Sequence, residues 1–134
     1  MILTAEQLLD RYHAAMIAAD ADAFADLYAP GGVHEFPFVN PQGVTRLLGP
    51  DQIRDFYRPL WADTPVVLDR VETTFQCHTD TEGMIINELV SIGRRRTDDE
   101  PFRLAGLVIL TAADGRITHT RDYMDLLGLQ SQLV

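Results

Sequence analysis

The chain has 134 residues, 46% of them hydrophobic, which is enough for one domain with an apolar core and too little for two. Its formal net charge of -9 opposes binding to phosphate backbones, where Lys and Arg must displace counterions, so nucleic acid is not an expected partner. No run approaches the roughly 18 apolar residues of a membrane span, no basic start precedes an apolar run, and Cys77 is the only cysteine, so a cytoplasmic protein without an internal disulfide is expected.

Thr4 and Gln7 have the spacing of a capping box, and Leu3 is placed to pack on Leu8, so a helix is predicted from Ala5. Leu8, Leu9, Tyr12, Ala15 and Met16 form its apolar face. Asp20 or Asp22 caps a second, short helix carrying Phe24, Leu27 and Tyr28, with Pro30-Gly31-Gly32 as its stop. Residues 33–38, VHEFPF, read as a short strand at an edge or a bend, because Pro37 cannot donate to a ladder. After a turn at 40–43, Gly49 as cap and Pro50 in the first turn open a third helix. Its Ile53, Phe56, Tyr57, Leu60 and Trp61 make the clearest amphipathic stripe in the chain.

From residue 66 onward the pattern is β: 66–78, 84–96, 102–111 and 116–125 are rich in Val, Ile, Leu, Thr and aromatics. The breaks at 80–83, 97–101 and 114–115 have hairpin chemistry, which pairs neighbouring strands antiparallel. Three helices and a long meander predict one α+β domain over residues 1–134: a cone-shaped, curved antiparallel sheet with three N-terminal helices packed on its concave face. Such a sheet encloses an apolar funnel, a common form of small-molecule site.

On the last strand, alternation puts Thr118, Thr120, Asp122 and Met124 on one face. If that face lines the funnel, Asp122 is a carboxylate in apolar surroundings, suited to moving a proton. The competing reading is a structural Asp paired with an Arg or a backbone amide. Tyr12, on the apolar face of the first helix, either packs in the core or offers its hydroxyl to a developing oxyanion. The four histidines are scattered without metal-ligand spacing, so no metal is expected, and His34 and Glu35 read as exposed sheet residues, with action of one of them at the pocket rim as the alternative. Glu88 is expected to pair with Arg103 or Arg121. Arg94-Arg95-Arg96, followed closely by Asp98, Asp99 and Glu100, reads as a solvated turn. Lone Cys77 reads as a small core hydrophobe.

The order of elements, together with the phrases DADAFADLYAPGGVHEFPF, GPDQIRDFY and DGRITHTRDYMD, resembles the nuclear transport factor 2-like superfamily over nearly the whole chain. The last two phrases resemble its SnoaL-like group, which includes polyketide cyclases and is related to limonene epoxide hydrolases and ketosteroid isomerases. The tail, 126–134, carries several Leu residues with no obvious partner in the fold and is expected to cover the pocket mouth or a dimer interface. The resemblance implies a homodimer through the outer sheet face, where Leu104 and Val108 are expected. It matches Tyr12 to the helix-one Tyr of the isomerases, but Phe36 stands at their base position and the second acid falls near Leu107. It matches Asp122 to a catalytic carboxylate of the epoxide hydrolases, whose partners are replaced by Leu89 and Ser91, and to the acid/base Asp of SnoaL-like cyclases.

The expected site is therefore Asp122 and Tyr12 as catalytic groups, with Met16, Phe36, Phe38, Phe56, Tyr57, Leu60, Trp61, Leu89, Leu107 and Met124 lining the pocket. Two functions are open. One is a proton-transfer enzyme of isomerase, cyclase or hydrolase type, acting without a cofactor on a small apolar molecule. The other is a non-catalytic binding or association module of the same fold.

Overall fold

A computed structural model describes residues 2–133. In chain order they form α1 (Ala5–Ala18), α2 (Ala21–Ala25), β1 (Tyr28–Glu35), β2 (Arg46–Leu48), α3 (Gly49–Ala62), β3 (Val66–His78), β4 (Met84–Arg95), β5 (Pro101–Ala113), β6 (Arg116–Met124) and α4 (Leu126–Leu133). The strands make one six-stranded sheet in the order β2-β1-β6-β5-β4-β3.

The capping box starts α1 as its residues dictate: the Gln7 N–H donates to Thr4 Oγ1 at 3.2 Å, and the Thr4 N–H donates to Gln7 Oε1 at 3.0 Å. Leu8, Leu9, Tyr12 and Ala15 then fall on one buried face. Burying each large apolar side chain there contributes roughly 1.5–3 kcal/mol. Ala19, left-handed at φ 53, turns the chain into α2, which Asp20 caps. Pro50 occupies the first turn of α3, and the N-cap is Leu48 rather than Gly49, with no side-chain cap bond.

Pro30-Gly31-Gly32 does not stop a helix. It lies inside β1, where residues 29–32 bulge opposite Thr118, between the register pairs Tyr28↔Ile117 and Val33↔His119. A bulge tolerates a proline because the residues it holds are out of the ladder. Gly32 is required there, since a Cβ would lie 2.8 Å from the Ile117 carbonyl oxygen. The strand ends at Glu35, so Phe36, Pro37 and Phe38 follow it instead of belonging to it. β1 runs parallel to β6 and all other neighbours are antiparallel, so the sheet is not the wholly antiparallel one expected.

β3, β4 and β5 are long, and β3 folds closely over β4 at a register shift between Leu68 and Arg70. Gly93 permits that approach: a Cβ on it would stand 1.9 Å from the Val67 carbonyl oxygen. The result is a curved, unclosed sheet with α1, α2 and α3 on its concave face, and a core of Tyr12, Phe24, Tyr28, Ile53, Ile85, Leu110 and Ile117 between them. Within the tail, Leu126–Leu133 is helical and has no buried residue, and Val134 lies outside the described residues. The helix is held by polar contacts, with the Arg103 N–H donating to Gln132 Oε1 at 2.8 Å and Arg95 Nη1 donating to the Gln132 carbonyl at 2.7 Å. Among the described residues no helix is long and apolar enough to cross a membrane.

Candidate active site

The funnel holds a cavity of about 410 Å³ between the sheet, α1, α3 and α4. Its deep end is walled by the buried Tyr12, Phe24, Tyr57, Leu89 and Val108, and its outer end by the exposed Ile17, Ala18 and Arg96. Asp122 stands in the wall, opposite Val108 in register, with its side chain 12% exposed.

Of the residues expected in the wall, Met16, Tyr57, Trp61, Leu89 and Met124 are there, as are Tyr12 and Asp122. Leu107 borders the cavity along its strand, but its register opposite Glu88 and Tyr123 turns its side chain to the outer face. Four expected residues are elsewhere. Phe36 and Phe56 pack against each other, tilted, with ring centroids 5.4 Å apart within the aromatic packing behind the site, Phe38 is 60% exposed against Tyr123, and Leu60 is 38% exposed. The α3 stripe is wider than the cavity it borders, so only its Tyr57 and Trp61 edge reaches the wall. Leu104 and Val108, expected on the outer face, line the cavity, because Val108 shares the face of its register partner Asp122.

His34 is the functional candidate that sequence reasoning placed on an exposed sheet face or at the pocket rim. It is fully buried, because the parallel pairing sets His34 beside Thr120 and brings its ring under Asp122. Its Nδ1 lies 2.6 Å from the Tyr28 hydroxyl, which donates to Thr120 Oγ1 at 2.9 Å. Its Nε2 lies 3.0 Å from the Tyr57 hydroxyl and 3.2 Å from Asp122 Oδ2. Since the Tyr28 proton is directed to Thr120, the Tyr28 oxygen accepts from the Nδ1–H. Alternation carried the missed signal: His34 is two residues from Phe36, and in a strand that puts both on the same face.

Asp122 Oδ2 is occupied by His34, while Oδ1 has no hydrogen-bond partner among the described residues. Tyr12 stacks on His34 with ring centroids 6.5 Å apart, and its hydroxyl likewise makes no hydrogen bond to the described residues. Burial first, and then the charge of Asp122, push the Tyr12 and Tyr57 phenols well above their usual 10.0. Both therefore stay protonated donors through neutral pH. Tyr28 is raised for the same leading reason, burial. The arrangement is a carboxylate with one free oxygen, an imidazole behind it, and a phenol donor at the same apolar wall.

Several other polar residues make structural contacts. Glu35 meets His119 at 2.8 Å and Arg121 at 3.9 Å on the outer face. Glu88 accepts from Thr74 Oγ1 at 3.1 Å and not from Arg103 or Arg121, because Thr74 sits beside it on the neighbouring edge strand. His13 Nε2 lies 3.2 Å from Asn87 Oδ1, and Asn87 Nδ2 donates to Thr73 and Gln76, so α1 is pinned to β3 and β4. Among the described residues no group of three His, Cys, Asp or Glu side chains is placed to hold a metal ion.

The whole fold is similar to solved structures. A Bacillus subtilis protein carrying the provisional name of isomerase superposes with a TM-score of 0.82 at 22% identity, over 95% of this chain and 90% of that one. A Δ5-3-ketosteroid isomerase from Mycobacterium sp. gives 0.70 at 21% identity, over 94% and 97%. An LEH-like epoxide hydrolase of M. tuberculosis gives 0.67 at 18% identity, over 96% and 88%. At these identities the likeness is one of fold, and no curated protein matches the chain in sequence. The model of the SnoaL-like domain matches residues 9–120, a span from the middle of α1 almost to Asp122, and the chain therefore belongs to the SnoaL-like family of the nuclear transport factor 2-like fold.

Proposed function

We propose that this protein is a cofactor-independent proton-transfer enzyme, of isomerase, cyclase or hydrolase type, acting on a small apolar organic molecule in the funnel. The observation that carries the reading is the position of Asp122: a carboxylate at the wall of an apolar cavity, with one oxygen backed by buried His34 and the other unpartnered among the described residues. Asp122 takes or gives the proton at Oδ1. His34, joined to Oδ2, positions the carboxylate. Tyr12 donates to oxygen on the reacting molecule as negative charge develops there. The apolar wall excludes water and strengthens each of these interactions.

The isomerase base position and the two epoxide hydrolase partners remain filled by Phe36, Leu89 and Ser91, so neither of those mechanisms is available in its usual form. Asp122→Asn is expected to keep the fold and the binding of apolar ligand while lowering turnover by about 10²–10⁴-fold. Substrate candidates come from mass spectrometry of ligand carried through purification. Turnover that persists in Asp122→Asn would exclude Asp122 as the acid or base.

A non-catalytic binding module is favoured by one feature, the pairing of Asp122 with His34, since structural ion pairs also sit in pockets. It predicts that Asp122→Asn binds ligand unchanged and that the wild type turns over nothing it binds. Assembly belongs to the same proposal: a homodimer through the outer sheet face, which carries Ile86, Val90, Ile92, Leu107 and Ile109 on the side opposite Asp122. A monomer in sedimentation at high concentration would contradict it.

A further inference from the structure

We infer, building on the cavity as the ligand site, that its ligand is a small apolar acid whose carboxylate binds Arg96 at the rim while its apolar body points toward Asp122. Arg96 is the one cation among the lining side chains and Asp122 the one anion. They stand at different depths, Asp122 with buried Tyr12, Leu89 and Val108, and Arg96 with exposed Ile17 and Ala18.

The three consecutive arginines do different things. Arg94 pairs with Asp69 and Asp99, each at 2.9 Å, and Arg95 pairs with Asp98. Arg96 has no carboxylate within ion-pair distance among the described residues, in a chain where 20 acidic residues face 11 basic ones. Its backbone N–H donates to the Pro65 carbonyl at 2.8 Å and its Nε to the Thr64 carbonyl at 2.9 Å. These two bonds fix the residue and one edge of its guanidinium beside Thr64, itself a lining residue, and leave both terminal nitrogens without an acceptor among the described residues.

A guanidinium held in this way offers parallel N–H donors to a carboxylate, a fit that an ammonium group lacks. Asp122 sets the same orientation from the other end, because a second carboxylate brought beside it is repelled. The wall also includes Met16, Trp61, Phe102 and Leu104, which suits an aromatic or alicyclic body. The carboxylate is thus a handle, remote from the reacting centre, that orients the molecule.

The test compares two acids with their uncharged amides, 4-phenylbutanoate against 4-phenylbutanamide and 6-phenylhexanoate against 6-phenylhexanamide, by isothermal titration. Wild-type protein is expected to bind at least one acid about tenfold or more tighter than its amide, the range of a hydrogen bond to a charged group. Arg96→Gln is expected to abolish that preference while leaving amide affinity unchanged, and Arg96→Lys to retain part of it. Equal binding of acids and amides by the wild type, or a preference that survives Arg96→Gln, would overturn the inference alone. If neither series binds, the inference falls together with the cavity's role as the ligand site.

Discussion

Asp122 keeps one oxygen for the cavity because His34 takes the other, and His34 can do so only because Tyr28 and Tyr57 hold its ring from both sides. Replacing His34 by Phe keeps the aromatic packing and leaves Tyr28 its bond to Thr120 but strands the Tyr57 hydroxyl, an expected loss of about 1–3 kcal/mol for that buried group. Urea unfolding reads that loss, and unchanged stability would mean that the network contributes nothing to the fold. His13 gives a pH prediction. Burial, its leading cause, lowers its pKa below 6.5, so the unfolded chain binds a proton that the folded one does not. The stability it protects is full above 6.5 and is lost as pH falls through the lowered folded value. His13→Gln is expected to flatten the fall of the urea midpoint over that acid range. The places of Asp122 and Tyr12 in the cavity wall were legible because each follows from the periodicity of a long regular element. The place of His34 was not, since its burial depends on a parallel strand more than 80 residues away in sequence, which no local turn announces.

The elements that shape the site depend on close backbone approaches. Gly32→Val forces a side chain into the Ile117 carbonyl where β1 crosses β6, and it is expected to destabilise by on the order of 3 kcal/mol. It should also disturb the seating of His34, seen as a changed histidine ring signal in NMR. A stable variant with the wild-type signal would contradict the role of the bulge. The long strands, the capped α1 and the α3 stripe were readable because hairpin turns, capping residues and periodicity are local properties of the chain. β2 and α4 were not, for physical reasons. A three-residue strand, Arg46–Leu48, is too short to carry an alternation, and LLGLQSQL contains a glycine and lacks a buried face. Leu129 of α4 nevertheless lines the cavity, so deleting residues 126–134 is expected to leave the sheet folded and to weaken binding of apolar ligands.

At the scale of the whole molecule, a curved sheet and three helices enclose an apolar volume with a carboxylate at one end and a guanidinium at the other. The acidic composition argues against a nucleic-acid surface, and the succession of elements made the architecture legible. The direction of β1 and the inward turn of Leu104 and Val108 came only with the tertiary pairing, because register decides which face a strand presents. The central claim, proton transfer by Asp122, can be measured without knowing the natural reaction, by following solvent deuterium entering an apolar carbon acid such as 2-tetralone in NMR. Wild-type protein is predicted to accelerate that exchange, and Asp122→Asn to lose the acceleration by about 10²-fold or more while still binding the ketone. Exchange in Asp122→Asn as fast as in the wild type, or no acceleration of a ketone that the wild type binds, would contradict it.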